Sequence, residues 1–385
     1  MKANPVFSRL PISIFQHMTM LALKYDAINL GQGFPDEDGP LAIREVAAKQ
    51  LLEGPNQYPP SKGLAVLRQA VTAHARHFYN LDNDPEDEVV ITSGGTEALG
   101  ACILAFAQAG EEFVLVEPTY DSYRPIVEAT GAVIKTVKLG PPNWALTEDV
   151  LRAAIGPKTR AILINSPHNP AGRAFSREEM ETLARVVAGT DAVVICDEVY
   201  EHLVYDGRPH VPLATLPGMR ERCVRIGSAG KIFSLTGWKV GWVTGPRELV
   251  SVVTKAHQFI TFTTPPALQL GVAHGLTHEM DFPLLLTARL QKNRDLLAAR
   301  LTKLGFEVQP CEGTYFLTAG ISKITNEKDL AFCERLVAEA GVALIPLSAF
   351  FQSGTPDTFV RFAFCKQQSL IEQSLERLER YFAAR

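Results

Sequence analysis

The sequence predicts an α/β protein, with a large domain around a mostly parallel central sheet and a smaller α+β domain beside it. Three observations carry this expectation. From Glu88 onward, short β-branched runs alternate with helical patterns, as expected of parallel strands covered on both faces. Polar residues cluster directly after those runs, at the edge where open α/β sheets bind ligands. Beyond a long helical stretch at 281–304 the alternation ends, and strands and helices follow in mixed order. The predicted division is an N-terminal arm that joins the smaller domain (1–44), a large domain (45–280) and a C-terminal small domain (281–385).

Composition narrows the function classes. With 385 residues, 46% hydrophobic and 21% charged, the chain is long enough for a sizeable core. A formal net charge of −4 argues against nucleic acid or an anionic membrane as partner. The six cysteines are scattered without a C-x-x-C, which fits reduced, buried thiols of a cytoplasmic protein better than disulfides or zinc. The N-terminal MKANPVFSRLPISIF has no continuous apolar segment, so no signal peptide is expected, and no apolar run is long enough for a membrane span.

Taken in order, residues 1–30 form an arm with Pro5, Pro11 and a short amphipathic stretch from Ser13 to Tyr25. Gly31-Gln32-Gly33-Phe34-Pro35 is a turn-rich loop in which glycine permits close approach to a ligand. No G-x-G-x-x-G follows and Pro35 blocks a helix start, which excludes a dinucleotide fingerprint. Leu41, Val46 and Leu51 predict a helix from Gly39 to Leu52, stopped by Gly54-Pro55. A second helix is expected from Leu64 to Tyr79, with His74 and His77 on a solvated face.

The predicted strands are Val89–Thr92, Phe113–Val116, Val133–Ile134, Ala161–Ile164, Ala192–Ile195, Val224–Ile226 and Val240–Val243. Helices are expected between them at 95–108, 120–130, 147–154 and 176–188. After Leu304-Gly305 the pattern predicts strands near 306–309, 314–318 and 358–364, and helices at 327–340 and 367–383.

The candidate chemistry lies after the strands. Ser93-Gly94-Gly95-Thr96 joins a strand to a helix start, where free N–H groups attract an anion. Asn165 to Gly172 is stiffened by Pro167 and Pro170, which holds the Asn169 amide in place or simply makes a turn; His168 within it reads as structural. In Ser228–Gly241, reading SAGKIFSLTGWKVG, Lys231 sits between Gly230 and the apolar Ile232 and Phe233. Partial burial disfavours an ammonium and frees the amine as a nucleophile, the environment Schiff-base lysines need. Ser228 and Lys239 flank it with a hydroxyl and a second cation, which suits an aldehyde carrying a phosphate, such as pyridoxal 5′-phosphate (PLP).

Asp197 ends a buried run, where an unpaired carboxylate costs on the order of several kcal/mol. It needs a cation, either a pyridinium nitrogen or an Arg or Lys of the core. Tyr200 is in reach of a phenolic oxygen on the same ring. Arg361, in the apolar run Phe359–Ala363, either clamps a substrate carboxylate or forms an internal ion pair. G-x-S-x-G and G-x-x-x-x-G-K-[ST] are absent, which argues against an α/β-hydrolase and a P-loop NTPase.

These residues resemble the fold-type I, PLP-dependent class I/II aminotransferases, and look most like kynurenine/glutamine transaminases and bacterial methionine aminotransferase. The resemblance runs through NLGQGFPD at 29–36, NQYPPSKG at 56–63, TSGGTEAL at 92–99, VEPTYDSY at 116–123 and NSPHNPAG at 165–172. It continues in CDEVYEHLVYDG at 196–207, SAGKIFSLTGWKVGW at 228–242, CEGTYF at 311–316 and the strand holding Arg361. It implies the aspartate aminotransferase-like PLP-dependent transferase fold and transfer of an amino group from an L-amino acid to a 2-oxo acid.

By that resemblance Lys231 carries the cofactor as a Schiff base and moves the α-proton, Asp197 pairs with the pyridinium, and Tyr200 with the ring O3′. Ser228, Lys239 and the backbone of Gly95 and Thr96 hold the phosphate, helped by Tyr58 of a partner subunit in a homodimer with shared active sites. Tyr120 stacks on the ring, Asn169 touches O3′ and the substrate carboxylate, and Arg361 clamps that carboxylate with the backbone of Gly33.

Phe15, Tyr58, Tyr120, Phe262 and Thr263 are expected around the substrate side chain. No second arginine is placed for a dicarboxylate, so methionine, glutamine, an aromatic or a kynurenine-like donor is expected rather than aspartate. Cysteine-conjugate β-lysis is the alternative reaction. A non-catalytic regulator of the same fold would need an N-terminal helix-turn-helix domain, for which the arm is too short.

Overall fold

The computed structural model describes residues 3–353 and 355–385. The arm contains a helix over Ile14–Lys24, capped where the Ser13 side chain accepts from the Gln16 N–H, and a short strand β1 (Ile28–Asn29). β1 pairs in parallel with Val342–Ala343, near the other end of the chain.

The β-branched runs form one sheet of seven strands: β2 (Val89–Thr92), β3 (Glu112–Glu117), β4 (Val133–Lys138), β5 (Thr159–Asn165), β6 (Val193–Asp197), β7 (Cys223–Ser228) and β8 (Gly241–Thr244). Their order is β2-β8-β7-β6-β5-β3-β4. All neighbours are parallel except at β8, which runs against both β2 and β7. β2, β7 and β8 are buried at every position, so both sheet faces are covered, as continuous Val/Ile runs require. β4, expected at Val133–Ile134 alone, extends to Lys138; as the edge strand it alternates exposed and less exposed residues, which hides it from a search for apolar runs.

The antiparallel β8 matters for the site. The parallel strands end at one edge of the sheet, and β8 begins there, because Gly241 pairs with both Thr92 and Ser228. The turn before β8 therefore lies beside the turns that follow β2 and β7.

Beyond a helix over Asp281–Lys303 come β9 (Glu307–Val308), β10 (Phe316–Gly320), β11 (Val342–Ala343), β12 (Ile345–Pro346) and β13 (Phe359–Ala363). β12, β13, β10 and β9 form an antiparallel sheet in that order, with Arg361 opposite Thr318 on one side and Ile345 on the other. All six cysteines are free and buried. No helix among the described residues is long and apolar enough to cross a membrane.

Two long helices were not expected, Arg247–Ile260 and Pro266–His278. The second opens on a proline pair and contains Gly271 and Gly275, which read as breakers. The glycines instead permit tight packing: a Cβ on Gly271 would lie 2.9 Å from the Ile43 carbonyl oxygen, and one on Gly275 2.6 Å from Ile43 Cδ1. His74 also departs from expectation. It is buried, not solvated, and its Nε2 lies 2.7 Å from His202 Nε2, tying the helix over Ala65–Tyr79 to the chain after β6. The neighbouring Glu201 is partnered by Arg225 at 3.4 Å.

Candidate active site

At the carboxyl edge of the large sheet lies a cavity of about 450 Å³, closed on its other side by the arm loop and the small sheet. Lys231 enters it from a one-turn helix, Ala229–Ile232, directly after β7. Its Nζ donates to the Tyr315 hydroxyl at 2.7 Å and stands 5.3 Å from the ring centroids of Tyr200 and Tyr315. Burial lowers its pKa to about 8, against smaller opposing effects of Cys365 and Asp197. At that value roughly one amine in ten is neutral at pH 7, against a few in ten thousand for an ordinary lysine.

Asp197, at the end of β6, is 4% exposed. One carboxylate oxygen accepts from the Tyr123 hydroxyl and the other from Val199 N–H at 3.3 Å. Burial still raises its pKa to about 6, with the Tyr123 bond the largest opposing effect. No Arg or Lys forms an ion pair with it among the described residues, so the core-cation alternative is not what the fold supplies. A cationic ring nitrogen in the cavity would complete the carboxylate.

The anion cradle is built by β2, β7 and β8 together. The helix Gly94–Phe106 starts at the cavity and leaves its first N–H groups without intrahelical acceptors. Gly94 has φ +81°, and a Cβ there would press on Lys239, 3.3 Å from its Cα. Lys239 is itself left-handed at φ +52°, and its Nζ stands 3.4 Å from Thr96 Oγ1. Ser228 joins them at the end of β7, opposite Gly241. A helix N-terminus, two hydroxyls and an ammonium on one wall suit a phosphate.

Arg361 is 1% exposed. Its Nη1 donates to Asn169 Oδ1 at 2.8 Å and its Nη2 to Gly31 O at 2.7 Å, while Nε has no partner among the described residues. The guanidinium lies 3.8 Å from the Phe316 ring centroid, with Phe15 and Phe350 beyond. Burial lowers its pKa to about 10. It makes no ion pair with a carboxylate among the described residues, so the internal salt bridge considered from sequence is absent and an anion from outside remains the fitting partner.

Asn169 is held by its backbone N–H donating to Asn165 Oδ1 at 2.7 Å, while Asn165 Nδ2 donates to Asp197 O at 2.9 Å. Arg173 pins the same loop, reaching Glu179 at 2.9 Å and Glu312 at 2.7 Å.

The structure thus brings Phe15, Gly33, Gly95, Thr96, Tyr120, Asn169, Asp197, Tyr200, Ser228, Lys231, Lys239 and Arg361 around one cavity. Tyr58 and Phe262 lie elsewhere on this chain. Tyr58 is 83% exposed, packs edge-on against Phe262 at 5.3 Å, and lines a separate cleft with Thr263. His168 is buried and its pKa is lowered to about 3 by that burial, in keeping with a structural role.

Sequence reasoning assigned no role to Tyr123 or Tyr315. Both stand in quoted motifs, VEPTYDSY and CEGTYF, but the groups they bond, Asp197 and Lys231, are distant in sequence. A phenol inside an otherwise buried stretch was the available signal, since buried tyrosines usually find a hydrogen-bond partner.

The residues present fit PLP: a partly neutral lysine, a buried carboxylate without a cation, a phosphate cradle and an unpaired arginine face one volume. Fold and site together define a PLP-dependent transferase. A family model described as aminotransferase class I and II matches residues 25–378, and the chain belongs to that family. PLP is its cofactor, and the protein is an aminotransferase.

The chain is 42% identical to a solved N-succinyldiaminopimelate aminotransferase from Mycobacterium tuberculosis, with a TM-score of 0.95 over 99% of this chain and 100% of that one. It is 37% identical to a methionine aminotransferase from Escherichia coli K12, covering 98% of this chain and 99% of the relative. It is 34% identical to a kynurenine–oxoglutarate transaminase from Dictyostelium discoideum, covering 95% of this chain and 93% of the relative.

Proposed function

We propose that this aminotransferase takes its amino group from an L-amino acid with a neutral, bulky side chain, with methionine, glutamine and aromatic or kynurenine-like donors as the class, and passes it to a 2-oxo acid. The observation that carries this is the cation inventory of the cavity. Lys231, Lys239 and Arg361 are its only Lys or Arg residues among the described residues, and each has a role in handling cofactor or α-carboxylate. The remaining wall offers Phe15, Phe34, Tyr120 and the amide of Gln32, which suit an apolar or polarizable side chain rather than a second carboxylate.

Bound PLP supplies an electron sink for the negative charge that develops at the substrate α-carbon. Lys231 would hold it covalently and, once free, would take up and return the proton at the substrate α-carbon. Asp197 would keep the ring nitrogen protonated, and Tyr200 would hydrogen-bond the ring oxygen. Ser228, Lys239 and the N–H groups of Gly95 and Thr96 would bind the phosphate, and Tyr120 would cover the ring.

Arg361 and Asn169, with the Gly33 backbone, fix the substrate carboxylate and hence which α-carbon bond faces Lys231. Tyr58 and Phe262 act from a partner subunit in a homodimer: both are exposed here, as are the large apolar side chains of Leu52 and Phe259, which an interface between two copies would cover. In this reading residues 45–280 are the cofactor-binding domain, and 1–44 with 281–385 the smaller one.

A donor panel of methionine, glutamine, phenylalanine, kynurenine, aspartate and N-succinyldiaminopimelate, scored by oxo-acid formation, tests the proposal. Neutral donors should exceed aspartate in kcat/KM by at least about tenfold, the scale of one favourable pocket contact. A lead for either acidic donor would refute the neutral-donor class, and pyruvate with ammonia from cysteine conjugates would indicate β-lysis.

The Asp197 carboxyl sets a pH dependence. Without a cation beside it, it is protonated below about pH 6 and ionised above. Pairing with a pyridinium requires the ionised form, so cofactor binding below that pH must expel a proton. PLP affinity of the apoprotein should therefore fall on acidification below pH 6, and Asp197→Asn should remove the part of the slope, up to about tenfold per unit, that this carboxyl contributes. Fluorescence titration of the two apoproteins measures it; identical slopes would reject the assignment.

A further inference from the structure

Tyr315 is 1% exposed and sits where three parts of the chain meet. Its hydroxyl accepts from Lys231 Nζ at 2.7 Å and donates to Gly33 O at 2.7 Å. Because its single proton is committed to a carbonyl, the phenol can only accept from the lysine. A neutral amine that donates one N–H this way keeps its lone pair free.

The ring has little freedom to move. It packs edge-on against Tyr200 at 5.3 Å and against Phe316 at 4.8 Å. The turn that presents it is unusual: Thr314, a β-branched residue, is left-handed at φ +64°. It is held there by its N–H donating to Leu203 O at 2.9 Å and by the Tyr205 hydroxyl donating to its carbonyl.

Gly33 is matched to this arrangement, since a Cβ there would fall 2.8 Å from Tyr315 Cε2 and 2.2 Å from Phe316 Cζ. The same loop is stapled by Arg361 at Gly31 O (2.7 Å) and by Lys366 at Phe34 O (3.0 Å). The phenol therefore connects the lysine to the loop that also carries an arginine contact.

We propose that Tyr315 is a positioning residue for Lys231: its hydroxyl holds the free amine toward the cavity and couples it to the Gly33 loop. This rests on the reading of Lys231 as the cofactor-bearing, proton-moving group. Tyr315 acts through the lysine and touches neither substrate nor cofactor in this role. It follows that removing the hydroxyl should affect steps that use the free amine, and leave intact those that do not.

The test is Tyr315→Phe, which keeps the ring. With a neutral donor, kcat should fall about ten- to a hundredfold, the cost of a misplaced group, while KM changes by less than about twofold. The primary isotope effect with α-deuterated donor should rise, because proton transfer becomes more rate-limiting.

A second readout does not depend on turnover. When PLP is mixed with apoprotein, the amine attacks the aldehyde carbon with loss of water, and the visible absorbance change reports its rate. That rate should drop in the variant, while affinity for pyridoxamine 5′-phosphate, which cannot form this bond, stays constant and certifies a folded site. Unchanged kcat and attachment rate would overturn the proposal, as would a loss explained by weaker pyridoxamine phosphate binding. Borohydride reduction separates the two levels of argument: failure to label Lys231 defeats the underlying reading, whereas a labelled Lys231 with wild-type kinetics in Tyr315→Phe defeats only this one.

Discussion

Lys231→Ala will lose transamination by at least about 10³-fold, because a positioned proton-transfer group alone contributes about 10²- to 10⁴-fold and the variant also loses the covalent anchor. The protein should still fold, since Lys231 is a short-helix residue whose side chain points into a cavity and, among the described residues, hydrogen-bonds only to Tyr315. It should still bind PLP through the phosphate cradle, but without the visible absorbance of an imine. Borohydride will fix a pyridoxyl group at position 231 in the parent protein and nowhere in the variant, as read by peptide mass spectrometry. Retained turnover would show that another base moves the proton. The measurement is decisive because the cavity's other ammonium, Lys239, faces the opposite task, standing 3.4 Å from Thr96 in the cradle.

Arg361→Ala is expected to reduce kcat/KM for amino acids by roughly 30- to 1000-fold, corresponding to about 2–4 kcal/mol for removing one partner of a buried, hydrogen-bonded charge pair. The loss should fall on KM for both the amino acid and the 2-oxo acid, because both carry the carboxylate. Discrimination between an amino acid and the corresponding amine without a carboxylate should shrink in parallel. An unchanged KM would remove the carboxylate clamp from the mechanism. The physical basis is that Arg361 already has its orientation paid for in the free protein, by Asn169 and Gly31 on one side and the Phe316 face on the other. Tyr315→Phe, by contrast, should leave KM nearly untouched, so the two variants probe binding and proton transfer separately.

Much of this site was legible in the sequence because the fold delivers it by a simple rule. Parallel strands all end at one edge, so residues directly after apolar runs, such as Gly95, Asn169, Asp197 and Lys231, were bound to converge there. β2 was expected at its observed residues, since a fully buried strand has no polar interruption to blur its ends. The edge strand β4 and the glycine-containing helix Pro266–His278 were missed or shortened for the opposite reason: solvent contact dilutes the pattern in one, and close packing selects residues that mimic breakers in the other. His74 was misplaced because helical periodicity shows which residues share a face, and the burial of that face depends on what packs against it.

What the sequence determined by itself was the chemical vocabulary: which strands exist, which residues follow them, and that a lysine, an acid, a glycine turn and a strand arginine belong to one chemistry. Only the tertiary structure decided which of these groups are left without partners and which are tied to one another. Among the described residues Asp197 lacks an ion-pair cation, Arg361 lacks an ion-pair carboxylate, and Lys231 rests on Tyr315, which in turn holds Gly33. The reason is physical. Local propensity and hydrophobic pattern are carried by neighbours in the chain, whereas desolvation and hydrogen-bond satisfaction depend on atoms that meet only when the two sheets close over the same cavity.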